Sequence, residues 1–282
     1  MMMAQREIQK LKETILKEYP RLKRDDKFQF ACHSGVSCFN ECCGDVNIFL
    51  TPYDVLRLKN ALGISSQDFL DKYTILPIDQ NQKLPVVLMK MRDNEKKTCH
   101  FVDKEGCTVY ENRPWACRMY PLGLASPGEL AANLNEEFFF ILKESVCKGF
   151  EEDKEWTVEE WIENQGIAEY DKFGEMYKDI YTHPYLEKTP ELTPQKIDMF
   201  FLACYNLDKF RDFILHSTFQ QKFDVEDDLL EQIKSDDEEL LKFGFRWIRF
   251  ALFGEKTMKI KSEAKAEAEK KLEEKRRKTS RG

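Results

Sequence analysis

The sequence predicts an α+β protein that is mainly helical, in which a small irregular cysteine-cluster domain with short strands is followed by an all-helical region. Eight of the nine cysteines lie between Cys32 and Cys147, and only Cys204 falls in the second half. After residue 150 the chain shows helix starts followed by apolar residues at helical spacing instead. We expect an N-terminal amphipathic helix over 1–29, the cysteine-cluster domain over 30–150, the helical region over 151–255 and a charged tail over 256–282.

Length and apolar patterning limit the role of the cysteines. A chain of 282 residues can bury a large core, so disulfides are not needed to stabilise it. No secretory signal stands at the start, and no run approaches the roughly twenty apolar residues of a membrane span. We therefore expect a cytoplasmic protein with reduced thiols, where clustered cysteines favour metal binding over disulfides.

The charges are unevenly distributed. The chain has a net charge of −7, but residues 256–282 carry eleven basic and five acidic side chains, a net of +6. That leaves −13 on residues 1–255. An acidic body of this kind makes nucleic acid an unfavourable main partner, and the basic tail leaves it open only as a minor one.

Turn and capping residues predict the elements of the cysteine domain. Gly35, Asn40 and Gly44 indicate a loop around the first cysteines, and residues 46–51 indicate a short strand. Thr51, Pro52 and Asp54 predict a helix start, and Gly63 predicts its end. A second short helix follows, capped by Ser65 or Ser66. Further predictions are a strand in 83–92, a hairpin turn at Asp103–Gly106, one helical turn between Pro114 and Pro121, and a buried strand over Phe138–Leu142.

Three helices are predicted downstream. Thr157 and Glu160 form a capping box for a helix that ends at Gly166. A longer helix starts at Thr193, and its apolar face extends to Ile214 and includes Cys204, which we interpret as a core residue. Ser235 caps the last helix of the region, and the charged tail is expected to be a solvated helix or disordered.

The cysteine spacing indicates a metal site. The pattern is C-x5-C-x3-C-C, then C-x7-C-x9-C, then one cysteine after 29 intervening residues. Thiolates are soft ligands that suit zinc, copper(I) and iron–sulfur centres. Eight thiols suffice for two four-sulfur sites, or for one site plus core cysteines. The candidate ligands are Cys32, Cys38, Cys42, Cys43, Cys99, Cys107, Cys117 and Cys147.

Neighbouring side chains qualify this interpretation. Cys42 and Cys43 bind one ion if the loop bends sharply at Gly44, and otherwise serve two metals on opposite sides. His33 and His100 each follow a cysteine, although chance placement is the simpler explanation. Arg113 and Arg118 are predicted to bind the cofactor by offsetting thiolate charge; an ordinary ion pair with Glu111 is the alternative.

These motifs resemble those of the YkgJ-type cysteine-cluster proteins, described as zinc- or iron-chelating domains. The resemblance covers about residues 30–150 and rests on three features. The first is a cysteine loop ending in Cys42-Cys43, and the second is L-T-x-x-D-x-x-R-L over 50–58. The third combines C-H-F…C-T-V-Y-x-x-R-P-x-x-C-R-x-Y-P over 99–121 with a closing C-x-G over 147–149. The resemblance implies binding of a metal or an iron–sulfur cluster.

Three functions are compatible with these features. We favour a metalloprotein holding iron or an iron–sulfur cluster, of the 4Fe–4S type, with a redox or cluster-dependent role. The first alternative is a structural zinc module whose helical region binds a protein partner. The second is methyl transfer, because a related cysteine motif occurs in flagellin lysine methylases, although no glycine-rich loop for an adenosyl cofactor is present. No catalytic residue is assigned, and enzymatic activity is left open.

Overall fold

The computed structural model describes residues 19–77, 83–125, 137–189 and 191–279, and within them the protein is mainly helical with short antiparallel strands. This confirms the predicted fold class. The α-helices are Pro52–Leu62, Ser66–Tyr73, Trp115–Met119, Val158–Asn164, Ala168–Tyr181, Pro184–Lys188, Pro194–Cys204, Leu207–His216, Phe219–Lys222, Asp227–Ile233, Asp237–Phe253 and Ser262–Thr279. The strands are Lys27–Gln29, Thr74–Ile75, Leu88–Met89, Leu122–Ala125, Phe138–Ile141, Glu155–Thr157, Phe223–Asp224 and Lys259–Ile260. Residues 1–18 of the N-terminal helix predicted over 1–29 lie outside the described residues, and Lys27–Gln29 at the end of that range forms a strand.

The chain divides into two compact units that alternate along the sequence. The first comprises Met1–Ile48 and Met91–Asp171, and the second comprises Phe49–Lys90 and Lys172–Gly282. All eight candidate ligands fall in the first unit. The four-part linear division expected from the sequence stays a prediction.

The first unit is organised by two strand pairs around one apolar core. Lys27–Gln29 pairs with Glu155–Thr157, and Leu122–Ala125 pairs with Phe138–Ile141. Burying these apolar side chains removes them from water and fixes the segments that carry the cysteines. Trp115, Tyr120 and Cys147 pack against this core, whose buried members are Phe28, Phe30, Met119, Leu122, Val158, Trp161, Ile162 and Ile167.

The second unit is a helical assembly. Its longest apolar helix, Asp237–Phe253, packs on Pro194–Cys204, Leu207–His216 and Pro52–Leu62. Cys204 is fully buried there, so its predicted place in the helical core is confirmed.

Several predicted boundaries are confirmed. Thr51 and Asp54 form a capping box, Pro52 opens the helix, and Gly63 ends it in the left-handed region at φ 62°. Ser65 caps the next helix. Thr157 and Glu160 form the expected capping box. The tail forms the helix Ser262–Thr279, one of its two expected states.

Other boundaries were predicted incorrectly. Residues 46–51 contribute only a bridge between Phe49 and Leu88, and the strand expected in 83–92 shrinks to Leu88–Met89, since its partner strand has two residues. The helix expected to reach Ile214 ends at Cys204, because Asn206 takes the non-helical φ −101°, ψ 66° and a new helix starts at Leu207. The last capping residue is Asp236 rather than Ser235, since its carboxylate accepts the Glu238 and Glu239 N–H groups.

Within the described ranges, no helix combines the length and the apolar composition that crossing a membrane requires.

Candidate metal centre

The first cysteine loop is bent at Cys42 and Cys43. Asn40 has a positive φ of 70°, and a 3-10 turn over Glu41–Cys43 follows it. The Asn40 side chain donates to the carbonyl of Asp103 at 3.0 Å, which fixes the loop to the predicted hairpin turn. The two adjacent cysteines therefore lie in a tight turn and not in the extended backbone that would separate their side chains.

Cys99 and Cys107 lie on the hairpin beside this loop. The Cys99 N–H donates to the carbonyl of Cys43 at 2.7 Å, and Val102 bridges Cys107 across the turn. The Asp103 carboxylate accepts N–H groups at the tip, as the turn Asp103–Gly106 predicts. The Cys99 sulfur also accepts the Phe101 N–H at 3.4 Å, a bond that stabilises negative charge on sulfur.

Cys117 and Cys147 complete the group from two other segments. Cys117 is exposed on the single helical turn Trp115–Met119, which confirms the turn expected between the two prolines. Cys147 follows the strand Phe138–Ile141, and the next residue, Lys148, donates its N–H to the Cys38 sulfur at 3.0 Å. The chain therefore brings cysteines from the two halves of 30–150 together.

None of the eight candidate cysteines is in a disulfide. Cys32, Cys42 and Cys117 are exposed, and the other five are partly buried. In the described part of the chain, no three Cys, His, Asp or Glu side chains stand in an arrangement that could hold one metal ion. The donor chemistry nevertheless fits zinc, iron or an iron–sulfur cluster, since these groups take soft thiolate ligands.

The thiols influence one another's protonation. Although Cys32 is partly exposed to solvent, desolvation of its sulfur by the surrounding protein, and then the charges of Cys42, Cys38 and Cys147, raise its pKa to about 11. Burial also raises the pKa of Cys99 and of Cys107. These thiols are protonated at neutral pH in the metal-free chain, so a metal ion must displace their protons.

Cys42 is the exception among these thiols. A hydrogen bond from the Cys43 side chain lowers the pKa of the Cys42 thiol to about 7, against the opposite effect of partial desolvation of its sulfur. The pKa of Cys43 is raised in turn, first by its role as the donor and then by burial. Cys42 is therefore the most readily ionised member of the pair.

Arg113 places a buried positive charge near the thiols of Cys107 and Cys117. Its guanidinium stacks 3.7 Å from the centre of the Tyr110 ring and donates to the Tyr110 carbonyl and the Gln165 side chain. Burial lowers its pKa, whereas the thiols of Cys107 and Cys117 act in the opposite direction as negative neighbours. An arginine stays protonated in proteins, so this charge is permanent.

Arg118 is held in place by backbone carbonyl groups. Its guanidinium donates to the carbonyls of Arg113, Gln165 and Glu111 and lies 4.5 Å from the centre of the Tyr170 ring. The bond to Glu111 reaches the backbone and not the carboxylate. Within the residues described, neither Arg113 nor Arg118 forms an ion pair with a carboxylate, which removes the simple ion pair with Glu111 as an explanation.

The histidines differ from the cysteines in their surroundings. Both ring nitrogens of His33 are engaged, one with the Glu152 carboxylate at 3.2 Å and one with the Gly35 N–H at 3.2 Å. His33 is thus held by the loop. The imidazole Nε2 of His100 is buried, and the His100 carbonyl accepts from Arg92 at 2.6 Å.

Sequence reasoning missed Tyr120 and Gln165. The Tyr120 hydroxyl is buried beside Cys147, and burial followed by this thiol raises the pKa of the tyrosine. Gln165 binds Arg113 through its side chain and Arg118 through its carbonyl. Tyr120 belongs to the cysteine motif over 99–121, where it precedes Pro121. Gln165 lies 44 residues beyond Pro121 at the end of the helix Val158–Asn164, and no sequence motif marks it.

The fold and the free thiols together define a class of protein: one with a cysteine-cluster domain suited to chelating a soft metal. Residues 31–154 match the family model CxxCxxCC, described as a "putative zinc- or iron-chelating domain". The match confirms the resemblance that the cysteine motifs predict and supports zinc or iron chelation by this domain. The first cysteines of this chain have the spacing C-x5-C-x3-C-C, which is wider than the CxxCxxCC pattern of the family. Searches of curated proteins and of solved structures each found no match.

Proposed function

We propose that the cysteine-cluster domain binds iron, as an iron–sulfur cluster of the 4Fe–4S type or as an iron site, and acts in a redox or cluster-dependent role in the cytoplasm. The supporting observation is that the first unit contains all eight candidate cysteines, none of them in a disulfide, and that the buried cation of Arg113 is a neighbour of two of them, Cys107 and Cys117. When bound, such a group supplies one-electron chemistry. The candidate ligands and the two arginines are part of this proposal.

The residues near the thiols support charged sulfur. The Cys38 and Cys99 sulfurs accept backbone N–H groups, at 3.0 Å and 3.4 Å, and a hydrogen bond to sulfur favours the thiolate. Arg113 lowers the pKa of Cys107, against the larger effect of burial. Metal binding would draw the sulfurs together and release their protons.

Anaerobic purification of the full chain tests the proposal. We expect a brown protein with an absorption band at ~400 nm that contains iron and acid-labile sulfide. A colourless protein carrying only zinc would contradict the iron form and favour a structural zinc module. A protein without zinc or iron would contradict chelation altogether.

A further inference from the structure

The segments that carry the thiols meet in two separate places. At the first, the Ala31 N–H donates to the Gly149 carbonyl at 3.0 Å, which joins the segment before Cys32 to the segment after Cys147. A Cβ atom on Gly149 would lie 2.5 Å from the Ala31 carbonyl oxygen, so this approach requires glycine. The backbone of Lys148 holds the Cys38 sulfur at the same place.

A second meeting point lies on the other side of the Cys42-Cys43 pair. Gly44 bridges Thr98, and the Cys43 carbonyl accepts the Cys99 N–H. A Cβ atom on Gly44 would lie 2.7 Å from the Lys96 carbonyl oxygen, so this approach also requires glycine. In the hairpin that follows, Cys107 forms an antiparallel bridge with Val102.

The electrostatic neighbours of the thiols follow the same division. The thiols whose charges raise the pKa of Cys32 are Cys42, Cys38 and Cys147. Apart from Cys42, the thiols that influence Cys43 are Cys117 and Cys99.

Two further neighbour relations fit this grouping. The charge of Cys107 raises the pKa of Cys99. The thiols whose charges raise the pKa of Arg113 are Cys107 and Cys117. Each group therefore contains four thiols. The two groups meet at the hydrogen bond that the Cys43 thiol donates to the Cys42 thiol.

Among the described residues of the metal-free chain, no three donor side chains are arranged to hold an ion. Resting on the proposed function, we infer that metal binding draws the eight thiols together into two four-thiolate centres. The first thiol set is Cys32, Cys38, Cys42 and Cys147, and the second thiol set is Cys43, Cys99, Cys107 and Cys117. Four thiolates complete one tetrahedral ion or one cluster, so eight thiols divided in this way need no outside ligand. The second centre alone has a buried guanidinium beside it among the described residues, so the two centres should differ in reduction potential.

Removing two thiols from one set at a time tests the division in the full chain. The variants are C32S/C147S for the first set and C99S/C107S for the second, each reconstituted anaerobically with iron and sulfide, with C204S as the matched control. We expect each double variant to keep about half of the wild-type iron, C204S to keep all of it, and the two half-loaded proteins to differ in redox titration.

Two results separate the inference from the function on which it rests. Loss of all iron from either double variant, or no loss from either one, would overturn the two-centre division while chelation stands. Wild-type protein that takes up no metal would overturn chelation itself.

A titration of the wild-type protein covers the case in which a serine variant fails to fold. Metal-free full chain titrated with Co²⁺ alone should reach its thiolate charge-transfer endpoint at two ions per chain, because each set binds one. An endpoint at one ion would overturn the division.

Discussion

At the residue scale, the cysteine domain is unusual in burying a permanent positive charge without a carboxylate partner in the described structure. Arg113 is 7% exposed and is held by Tyr110 and Gln165. A buried charge is costly unless it is compensated. The thiols of Cys107 and Cys117 are the negative neighbours available once they ionise on a metal.

Replacing this charge should weaken metal binding. In R113Q the thiol of Cys107 loses the cation that opposes the effect of burial, so its pKa rises and protons compete better with the metal. We expect metal affinity to fall about tenfold and the pH of half-release to move upward. R113K, which keeps the charge, should retain most of the affinity, and R24Q, which removes an exposed arginine of the same unit, should not change it. Equal affinity of R113Q and wild type would contradict this role, provided that both are folded.

Gly149 makes a second residue-scale prediction. In G149A the new methyl group meets the Ala31 carbonyl and the Phe30 ring, at 2.5 Å and 2.7 Å, so the first unit should lose about 2 kcal/mol in its free energy of unfolding. The control is G174A, in the helix Ala168–Tyr181, where the methyl group meets nothing within 4 Å and should stabilise the protein by up to about 1 kcal/mol. Denaturant unfolding of both variants measures the difference. Similar stabilities would show that the close approach at Gly149 does not matter.

These residue roles were only partly predictable. Cysteine type and clustering indicated a metal site, and the position of Gly149 was part of the recognised motif. Which sulfurs become neighbours depends on contacts such as Ala31 with Gly149, which linear spacing does not encode.

At the element scale, a buried ion network joins three helices of the second unit. Lys59 lies 2.6 Å from the Asp237 carboxylate and 3.7 Å from that of Asp208, and Arg211 binds both carboxylates. Burial alone would raise the pKa of Asp237, but hydrogen bonds from Lys59 and Arg211 outweigh it and lower that pKa. The network therefore stabilises the folded state when Asp237 is ionised.

The sign of its pH dependence follows. Because the folded pKa of Asp237 lies below the unfolded value of about 3.9, its contribution is present above that pH and is lost as the pH falls below it. D237N should be about 3 kcal/mol less stable than wild type at pH 7, and the difference should shrink below about pH 4. Urea unfolding at both pH values measures this, with D228N, at an exposed position, as the control. A difference that does not change with pH would contradict the account.

Element boundaries were predictable where local chemistry sets them. The Thr51–Asp54 capping box and the Gly63 stop depend on residues within one turn of each other. The break at Asn206 was missed because the apolar spacing continues across it. The Asn206 side chain bonds to Gln67, a partner 139 residues away, and such contacts cannot be inferred from local pattern.

At the scale of the whole molecule, the two units alternate along the chain. The first unit, which contains the eight candidate ligands and is called the cysteine unit below, is interrupted after Ile48 and resumes at Met91. The sequence predicted consecutive domains, because composition changes near residue 150 but gives no sign of which segments pack together. All candidate ligands fall in one unit, so metal should stabilise that unit selectively.

Chelation tests this selectivity. Trp115, Trp156 and Trp161 lie in the cysteine unit, and Trp247 lies in the other, so a W247F variant reports only the former by fluorescence. A chelator should lower the unfolding temperature seen by fluorescence while the far-ultraviolet helical transition, to which the second unit contributes most, moves less. Equal shifts, or none, would contradict a metal held by the cysteine unit alone.

The most direct measurement is the metal content of anaerobically purified full chain, compared with a variant in which the eight cysteines from Cys32 to Cys147 are serine and with C204S. We predict iron with acid-labile sulfide in wild type and in C204S, and neither in the eight-serine variant. Wild-type protein without metal, or an eight-serine variant that retains it, would contradict thiolate chelation by this domain.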